Sequence, residues 1–489
     1  MRFLPLAVFV AGVALGGCAS PGSHQPHLPA DGNARDCLAW YAALDDLIDR
    51  AGVRDAGEAR LPGRPHLRAD RFSASFGDAA RSNPTLAAAL HDRLRVNGIN
   101  AHGHEIRNLP PAVRRQHGLD LDETLARLQG CSVALARVDL LPPDVPDAWL
   151  KTLSVPDHYA GWKRFVGLYP LTSRTFFRGI EQWQRETESA FRAASQAFAG
   201  TRYRAASDAA AAPGEPHFQD LPRDPLGIPL LSPAAWQSLL ARHAPVVEID
   251  QRGTFDQPGA LVHDATAVTV DTSQPVTYQR IAFTRLAGRT LTQLVYSFWF
   301  AERPPRGWLD LLAGRLDGVM IRITLDERGL PLMVDSIHAC GCYHLFMPGE
   351  RLAARAPPQP GIEWAFVPQR LPALRPGQRL VVRIASGTHY VVGLDTDAAS
   401  GVSDRTYRLA DEQSLQALLL PGGGSRSVYD HAGLIAGSER GERFWFWPMG
   451  IASPGAMRQW GHHATAFVGR RHFDDADLID RRFILLPPK

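Results

Sequence analysis

Lysine is nearly missing from this sequence. Only Lys151, Lys163 and Lys489 occur among 53 basic residues in a chain of 489. Such an arginine bias more often reflects a GC-rich genome than a function. An excess of one charge is missing too: 53 basic residues face 50 acidic ones, a formal +3, so nothing demands a nucleic acid or an anionic surface as partner. Beyond the N-terminus no apolar run approaches the ~18 residues that would suggest a membrane span, which excludes a polytopic membrane protein. There is no internal repeat, no heptad, no P-loop, no His-Glu-x-x-His helix, no dinucleotide glycine fingerprint and no Gly-x-Ser-x-Gly elbow. What is present, 45% hydrophobic and 21% charged residues, excludes disorder and collagen. The length predicts a water-soluble body of two or three domains with a full core.

The N-terminus carries Met1-Arg2, an apolar run from Phe3 to Leu15, and Gly16-Gly17-Cys18-Ala19-Ser20. A positive start, a short apolar stretch and a small-residue exit describe a secretory signal peptide rather than a span. Leu15-Gly16-Gly17-Cys18 resembles the bacterial lipobox. That resemblance implies diacylglycerol on the Cys18 thiol, cleavage before it and acylation of the new amine, an anchor well beyond a single chain. Ala19 replaces the Asp that marks inner-membrane retention in enteric bacteria, so outer-membrane lipid is the expected partner and the periplasm the expected place of the body. The segments read as 1–17 signal, 18–35 tether rich in small and polar residues, 36–205 helical, 206–242 proline-rich linker and 243–489 β-rich.

Cys18 aside, four cysteines remain, and an oxidising compartment favours pairing. Cys37 and Cys131, both on expected helices, are predicted to form a disulfide, which leaves Cys340 and Cys342. Apolar spacing predicts helices over Asp36–Arg50, after Asn83-Pro84, after Asp120 with Glu123, and after Ser173. The last carries Phe176, Phe177, Ile180, Trp183 and Phe191, an aromatic stripe read as a core face, with a groove for an apolar ligand as the alternative. From Val246 onward, runs such as 294–300 and 319–325 have strand composition, and Asp326-Glu327-Arg328-Gly329 marks a hairpin. The expected class is α+β: a helical N-terminal domain, then an antiparallel sandwich-like β domain.

Asp335 to His344 holds the densest chemistry. Read as a strand, it places His338, Cys340, Cys342 and His344 on one face. All four are ligand types for zinc or a similar divalent ion. Successive members lie ~6.6 Å apart and the outer two about 20 Å, so a single ion needs a bend, which Gly341 permits. His389, His462 or His463 and the Asp317 carboxylate are candidate outside ligands. The competing readings are a Cys340–Cys342 disulfide, strained and therefore reducible, and a nucleophilic thiol beside His338 or His344. Towards the C-terminus, Phe444-Trp445-Phe446-Trp447-Pro448 reads as core packing rather than a stacking platform. Arg470 to Asp475 reads as a surface salt-bridged turn rather than an oriented His–Asp base.

Four phrases, His66 to Phe72, Gly167 to Ser173, Leu311 to Gly318 and Asp335 to His344, resemble a family of uncharacterised proteobacterial lipoproteins; the resemblance implies location and architecture but no activity. The β half alone is similar in motif order to the cation-binding sandwiches of necrosis-inducing and Vps62-like proteins. Their signature is Gly-His-x-x-Asp-Trp-Glu, where this chain has Gly314-Arg315-Leu316-Asp317-Gly318. Two functions are therefore expected. One is a non-enzymatic envelope protein that binds a partner or ligand and is stapled at Cys340–Cys342. The other is a metal-dependent periplasmic hydrolase built on residues 338–344 with His389. The first is preferred because it needs no unseen ligand.

Overall fold

The structure, a computed structural model, describes residues 31–140, 149–206, 217–264, 267–375, 377–398 and 405–487. The signal segment, Cys18, residues 19–30 of the tether and residues 207–216 of the expected linker lie outside the described residues; the last tether positions, from Gly32, already belong to the first helix.

The chain is α+β. Helix α1 spans Gly32–Ala51, α2 Pro84–Asn108 and α3 Leu121–Leu140. Their ends follow the sequence. Asn83 Oδ1 accepts from the Leu86 amide at 3.1 Å, with Pro84 in the first turn. Gly52, at φ 68°, closes α1 by donating to the Asp49 and Ile48 carbonyls, a left-handed position that glycine adopts without penalty. Asp120 Oδ1 accepts from the Glu123 amide at 3.1 Å. Tyr41, Leu44 and Ile48 of α1 pack with Ile106, Leu128 and Leu135, and the Cys37–Cys131 disulfide joins α1 to α3 across 94 residues. Two further helices are α4 (Gly161–Val166) and α5 (Tyr169–Gln196). The latter begins four residues before the expected Ser173, because Pro170 fits a first turn and Leu168 turns the chain at φ 48°.

The strands of the main sheet are β1 (Thr201–Ala205), β2 (Val246–Ile249), β3 (Val276–Leu286), β4 (Arg289–Arg303), β5 (Gly314–Leu325), β6 (Pro331–His338), β7 (Leu345–Pro348), β8 (Gln378–Ile384), β9 (Val391–Ala398) and β10 (Arg405–Asp411). They form one ten-stranded sheet in the order β7-β6-β5-β4-β3-β10-β1-β2-β8-β9. It is mixed rather than wholly antiparallel: β10 runs parallel to both β3 and β1, and β8 parallel to β2. Three expectations change. β1, inside the expected helical region, is a sheet strand. The expected linker contains helix α6 (Pro233–His243), capped by Ser232. And β6 stops at His338. Gly341 at φ 93° and Tyr343 at φ 62° turn the chain, the Gly341 amide donates to the His338 carbonyl at 2.7 Å and the His338 amide to the Cys342 carbonyl at 3.0 Å. A Cβ on Gly341 would sit 2.8 Å from the Ala464 carbonyl oxygen, so only glycine fits.

Strands β4 and β5 are buried on both faces. Leu294, Tyr296, Phe298 and Phe300 join a core with Leu239 and Leu240 of α6 and Phe191 of α5. On the opposite face Val295 and Met320 meet Trp460 and Phe473, and Trp299 meets Leu415, Ile435 and Met457. Among the described residues no helix is long and apolar enough to cross a membrane.

Replacing Cys37 and Cys131 together by serine removes the α1–α3 staple. The expected loss is about 2–5 kcal/mol, read from denaturant unfolding, with helical circular dichroism lost before the sheet's near-UV signal.

Candidate functional site

The one-faced ladder does not form, because the chain turns after His338. Its members separate into three places. His338 turns to Asp317, with Nδ1 3.4 Å from Oδ1. His344 faces Asp335, with Nε2 3.0 Å from Oδ2, and Arg322 holds the same carboxylate. Cys340 and Cys342 lie in the turn; both are buried and free, so the expected bond between them is not formed. Their thiols hydrogen-bond to each other. Cys340 accepts, which favours its thiolate, and Cys342, donating and buried, is held well above the ordinary thiol range.

Asp317 does collect two of its predicted companions. His389 Nδ1 lies 2.8 Å from Oδ2, and Arg440 Nη2 lies 3.3 Å from Oδ1 beside His338. The other ring nitrogen of His389 faces Asp256 Oδ1 at 3.5 Å and the Phe255 carbonyl at 3.2 Å. Burial opposes charge on Asp317, yet His338, His389 and Arg440 hold it well below the usual carboxylate range. Burial likewise opposes charge on His389, but Asp256 and Asp317 raise it. In this buried ion network both Asp317 oxygens are engaged, the ring of His389 stacks on Phe300 at 3.9 Å, and only the outer nitrogen of His338, Nε2, is left without a partner. It positions the 386–390 turn and offers a cation no vacant carboxylate. Of the other outside candidates, His462 Nε2 lies 2.7 Å from the Ala56 carbonyl and His463 Nε2 3.2 Å from that of Ala339.

Among the described residues, two donor groups elsewhere come close enough to share an ion: His66, His91 and Asp139, and Asp45, His102 and Glu105. In each a guanidinium already neutralises the carboxylate, Arg64 on Asp139 at 3.0 Å and Arg68 on Glu105 at 3.0 Å, and a dication there would have to sit beside it.

The same turn opens onto a cavity of about 940 Å³. This is near the upper end of small-molecule sites, ~300–1,000 Å³. One wall is the first half of α5: Phe176, Ile180 and Trp183 face the cavity. The expected core face holds at the helix's far end, where Phe191 and Ala194 are buried, and in part at Trp183, which packs against the same core. Trp364 and Phe366 line a second side, and Phe446 a third, 5.2 Å from Phe176 between ring centres.

Polar groups converge on one end. Arg303, at the end of β4, donates to the Tyr390 hydroxyl at 3.2 Å and lies over the rings of Tyr390 and Tyr343 at 5.2 and 5.9 Å. Glu442 stands nearby. Burial pushes its carboxyl up to about 7, against the pull of Arg440 and Arg303. Cys342 also lines the cavity, as do His344, Arg471 and Glu363.

A second cavity of about 410 Å³ lies between helices and sheet and is far more polar. Two of its arginines pair with lining carboxylates, Arg93 with Asp70 and Arg71 with Asp474, while burial and the nearby Asp55 push the Glu58 carboxyl up to about 8.

The sequence reading missed Arg303, Tyr343, Tyr390 and Glu442 as site residues. The one signal for them was the aromatic density around Glu442. Phe444 and Trp445, expected in the core, are exposed. Conversely the 470–475 segment, expected on the surface, buries Arg471, His472 and Phe473, because it covers the second face of the sheet. His472 pairs there with Asp475 at 3.4 Å.

Compared with protein-family models, with curated proteins and with solved structures, the chain has no match.

Glu442 predicts a specific pH signature. Its raised folded value means that its contribution to stability is full below the ordinary glutamate range and is lost as the pH rises through about 7. Glu442→Gln, which cannot ionise, is expected to be nearly neutral at pH 4 and stabilising at pH 8 by no more than ~3 kcal/mol, measured by urea unfolding at both values.

Proposed function

We propose that the protein is a lipid-anchored component of a bacterial outer membrane, with its body in the periplasm, that binds an amphipathic molecule with an acyl-like body and an anionic head. The observation that carries the binding reading is the 940 Å³ cavity with apolar walls and a charged end. The lipobox-like 15–18 segment supports the anchor, and the Cys37–Cys131 disulfide suits an oxidising compartment.

The chemistry of the end group selects the head. Arg303 has no carboxylate within ion-pair distance among the described residues; its hydrogen bond goes to a tyrosine hydroxyl. An anionic head supplies the missing partner, in a charge-assisted bond. Glu442 near neutrality, in its protonated form, donates a hydrogen bond to the same head, and the bound anion keeps that proton in place. The tyrosines fix the guanidinium plane. The apolar body lies along Phe176, Ile180 and Trp183. The reading involves no bond cleavage. A metal-dependent hydrolase finds less support, since Asp317, its expected carboxylate, is already shared by Arg440, His338 and His389.

The test is a fluorescence titration of the full chain with dansyl-labelled undecanoic acid. Saturable binding is expected, weakening as the pH rises through about 7 with loss of the Glu442 proton. Gly179 faces the cavity from α5 with nothing within 4 Å of an added Cβ. Gly179→Phe should fill the space and weaken binding by tenfold or more (~1.4 kcal/mol) while leaving the helix intact. Arg303→Gln should cost about 10–100-fold. Absence of saturable binding, or an unchanged titration with Gly179→Phe, rejects the reading.

A further inference from the structure

The mouth of the cavity exposes side chains that water-facing surfaces avoid. Trp308 is 92% exposed and Phe165 84%, while Trp162, Leu171, Phe444 and Trp445 lie between 64% and 68%. Exposed apolar residues scattered singly are ordinary; a contiguous group marks a binding surface. Here they come from three segments, 161–178, 304–312 and 441–448, that are tied to one another. Arg164 Nε donates to the Met449 carbonyl at 2.8 Å. A Cβ on Gly167 would lie 2.5 Å from Pro448 Cβ. The Glu442 amide donates to the Leu311 carbonyl at 3.1 Å. Leu311, Trp445 and Phe446 from these segments also line the cavity, so the patch is its rim.

Charge identifies the occupant. The three segments hold six basic residues, Lys163, Arg164, Arg174, Arg178, Arg306 and Arg443, and two acidic ones, Asp310 and Glu442; Arg164 is held by the Met449 and Gly469 carbonyls and Glu442 is buried, which leaves five cations against one carboxylate. The whole chain is nearly neutral by comparison, with 53 basic residues to 50 acidic. Exposed indole and phenyl rings set among arginines fit the headgroup layer, where aromatic rings rest at the boundary and cations meet lipid phosphates. The rings stand on short helices and a loop, and do not form a groove that would seat a partner's helix or an edge that would take its strand.

We propose that this rim docks on the surface of an anionic bilayer, with Trp162, Phe165 and Trp308 entering the headgroup layer. An acyl chain then passes between the leaflet and the cavity without crossing water. The passage rests on the cavity reading; the docking does not.

The experiment uses the full chain isolated from membranes and bound to vesicles that contain a lipid with a photoactivatable acyl chain. Crosslinked peptides are mapped by mass spectrometry. In phosphatidylglycerol–phosphatidylethanolamine vesicles, labelling is expected in 161–178, 304–312 and 441–448, and about tenfold less in phosphatidylcholine alone. The triple change Trp162→Ser, Phe165→Ser and Trp308→Ser, at residues that do not line the cavity, should cut rim labelling by ~tenfold and leave the dansyl-undecanoate titration unchanged. Labelling confined to the N-terminal lipid-bearing segment, or spread evenly over the surface, overturns the docking. So does a rim without label in a protein that sediments as a dimer, which assigns the patch to a second copy. Rim labelling without saturable fatty-acid binding sustains the docking and rejects the cavity reading; the reverse result does the opposite.

Discussion

The long central strands β4 and β5 place large apolar side chains on both faces, so the rest of the chain must supply two covers. Tyr296, Phe298 and Phe300 need one, and Val295, Trp299 and Met320 the other. Helix α6 and the far end of α5 make the first. The second is made by irregular chain between residues 412 and 483, which has few ladder bonds to satisfy its own backbone. Buried arginines of this cover satisfy carbonyls within it and on the turns and strand it packs against. Arg440 donates to the Leu312 and Leu316 carbonyls, Arg458 to those of Cys340, Ala452 and Ser453, and Arg471 to those of Trp364 and Thr465. A guanidinium carries five donors in a rigid fork, so one side chain can satisfy several buried carbonyls. Part of the arginine content that looks like a genomic bias therefore serves the interior.

The cavity lies where these covers do not meet. Helix α5 rests on the sheet with Phe191 and Ala194, and its first half runs out over the 442–448 segment, leaving Phe176, Ile180 and Trp183 facing open space. The turn after His338 closes one end of that space. The Asp317 network holds His389 and thereby the Tyr390 turn, and Tyr390 in turn holds Arg303. Histidines and carboxylates that look catalytic in sequence thus act as positioning residues for a polar end built from other groups. A buried network of paired charges does this well, because removing either partner of a pair leaves an uncompensated charge.

Local signals carried far. Capping at Asn83 and Asp120, the hairpin at 326–329, the long strands and the Cys37–Cys131 pair all follow from short-range chemistry, and all are present. The failures share one cause. Periodicity reports that a side chain is apolar, not what it will touch. Phe176 and Ile180 of the α5 stripe and Phe444 and Trp445 have the composition of core and yet face a cavity or water. The 470–475 segment has the composition of surface and is buried under the sheet. The alternation from His338 to His344 imitates a strand, but Gly341 can adopt a positive φ and the close approach of Ala464 requires it.

The amino-acid order alone determined the α+β class, the helical start, the staple between α1 and α3 and the lipobox-like beginning, because each depends on residues that are neighbours in sequence or on counting cysteines. Tertiary structure decided which charges meet. It brought Arg303, Glu442, Tyr343 and Tyr390 together from four separate segments, and gathered five cations beside exposed aromatic rings in a chain whose net charge is close to zero. Composition averages over the whole surface, whereas binding depends on the field and the apolar area at one place, and only the fold sets that place.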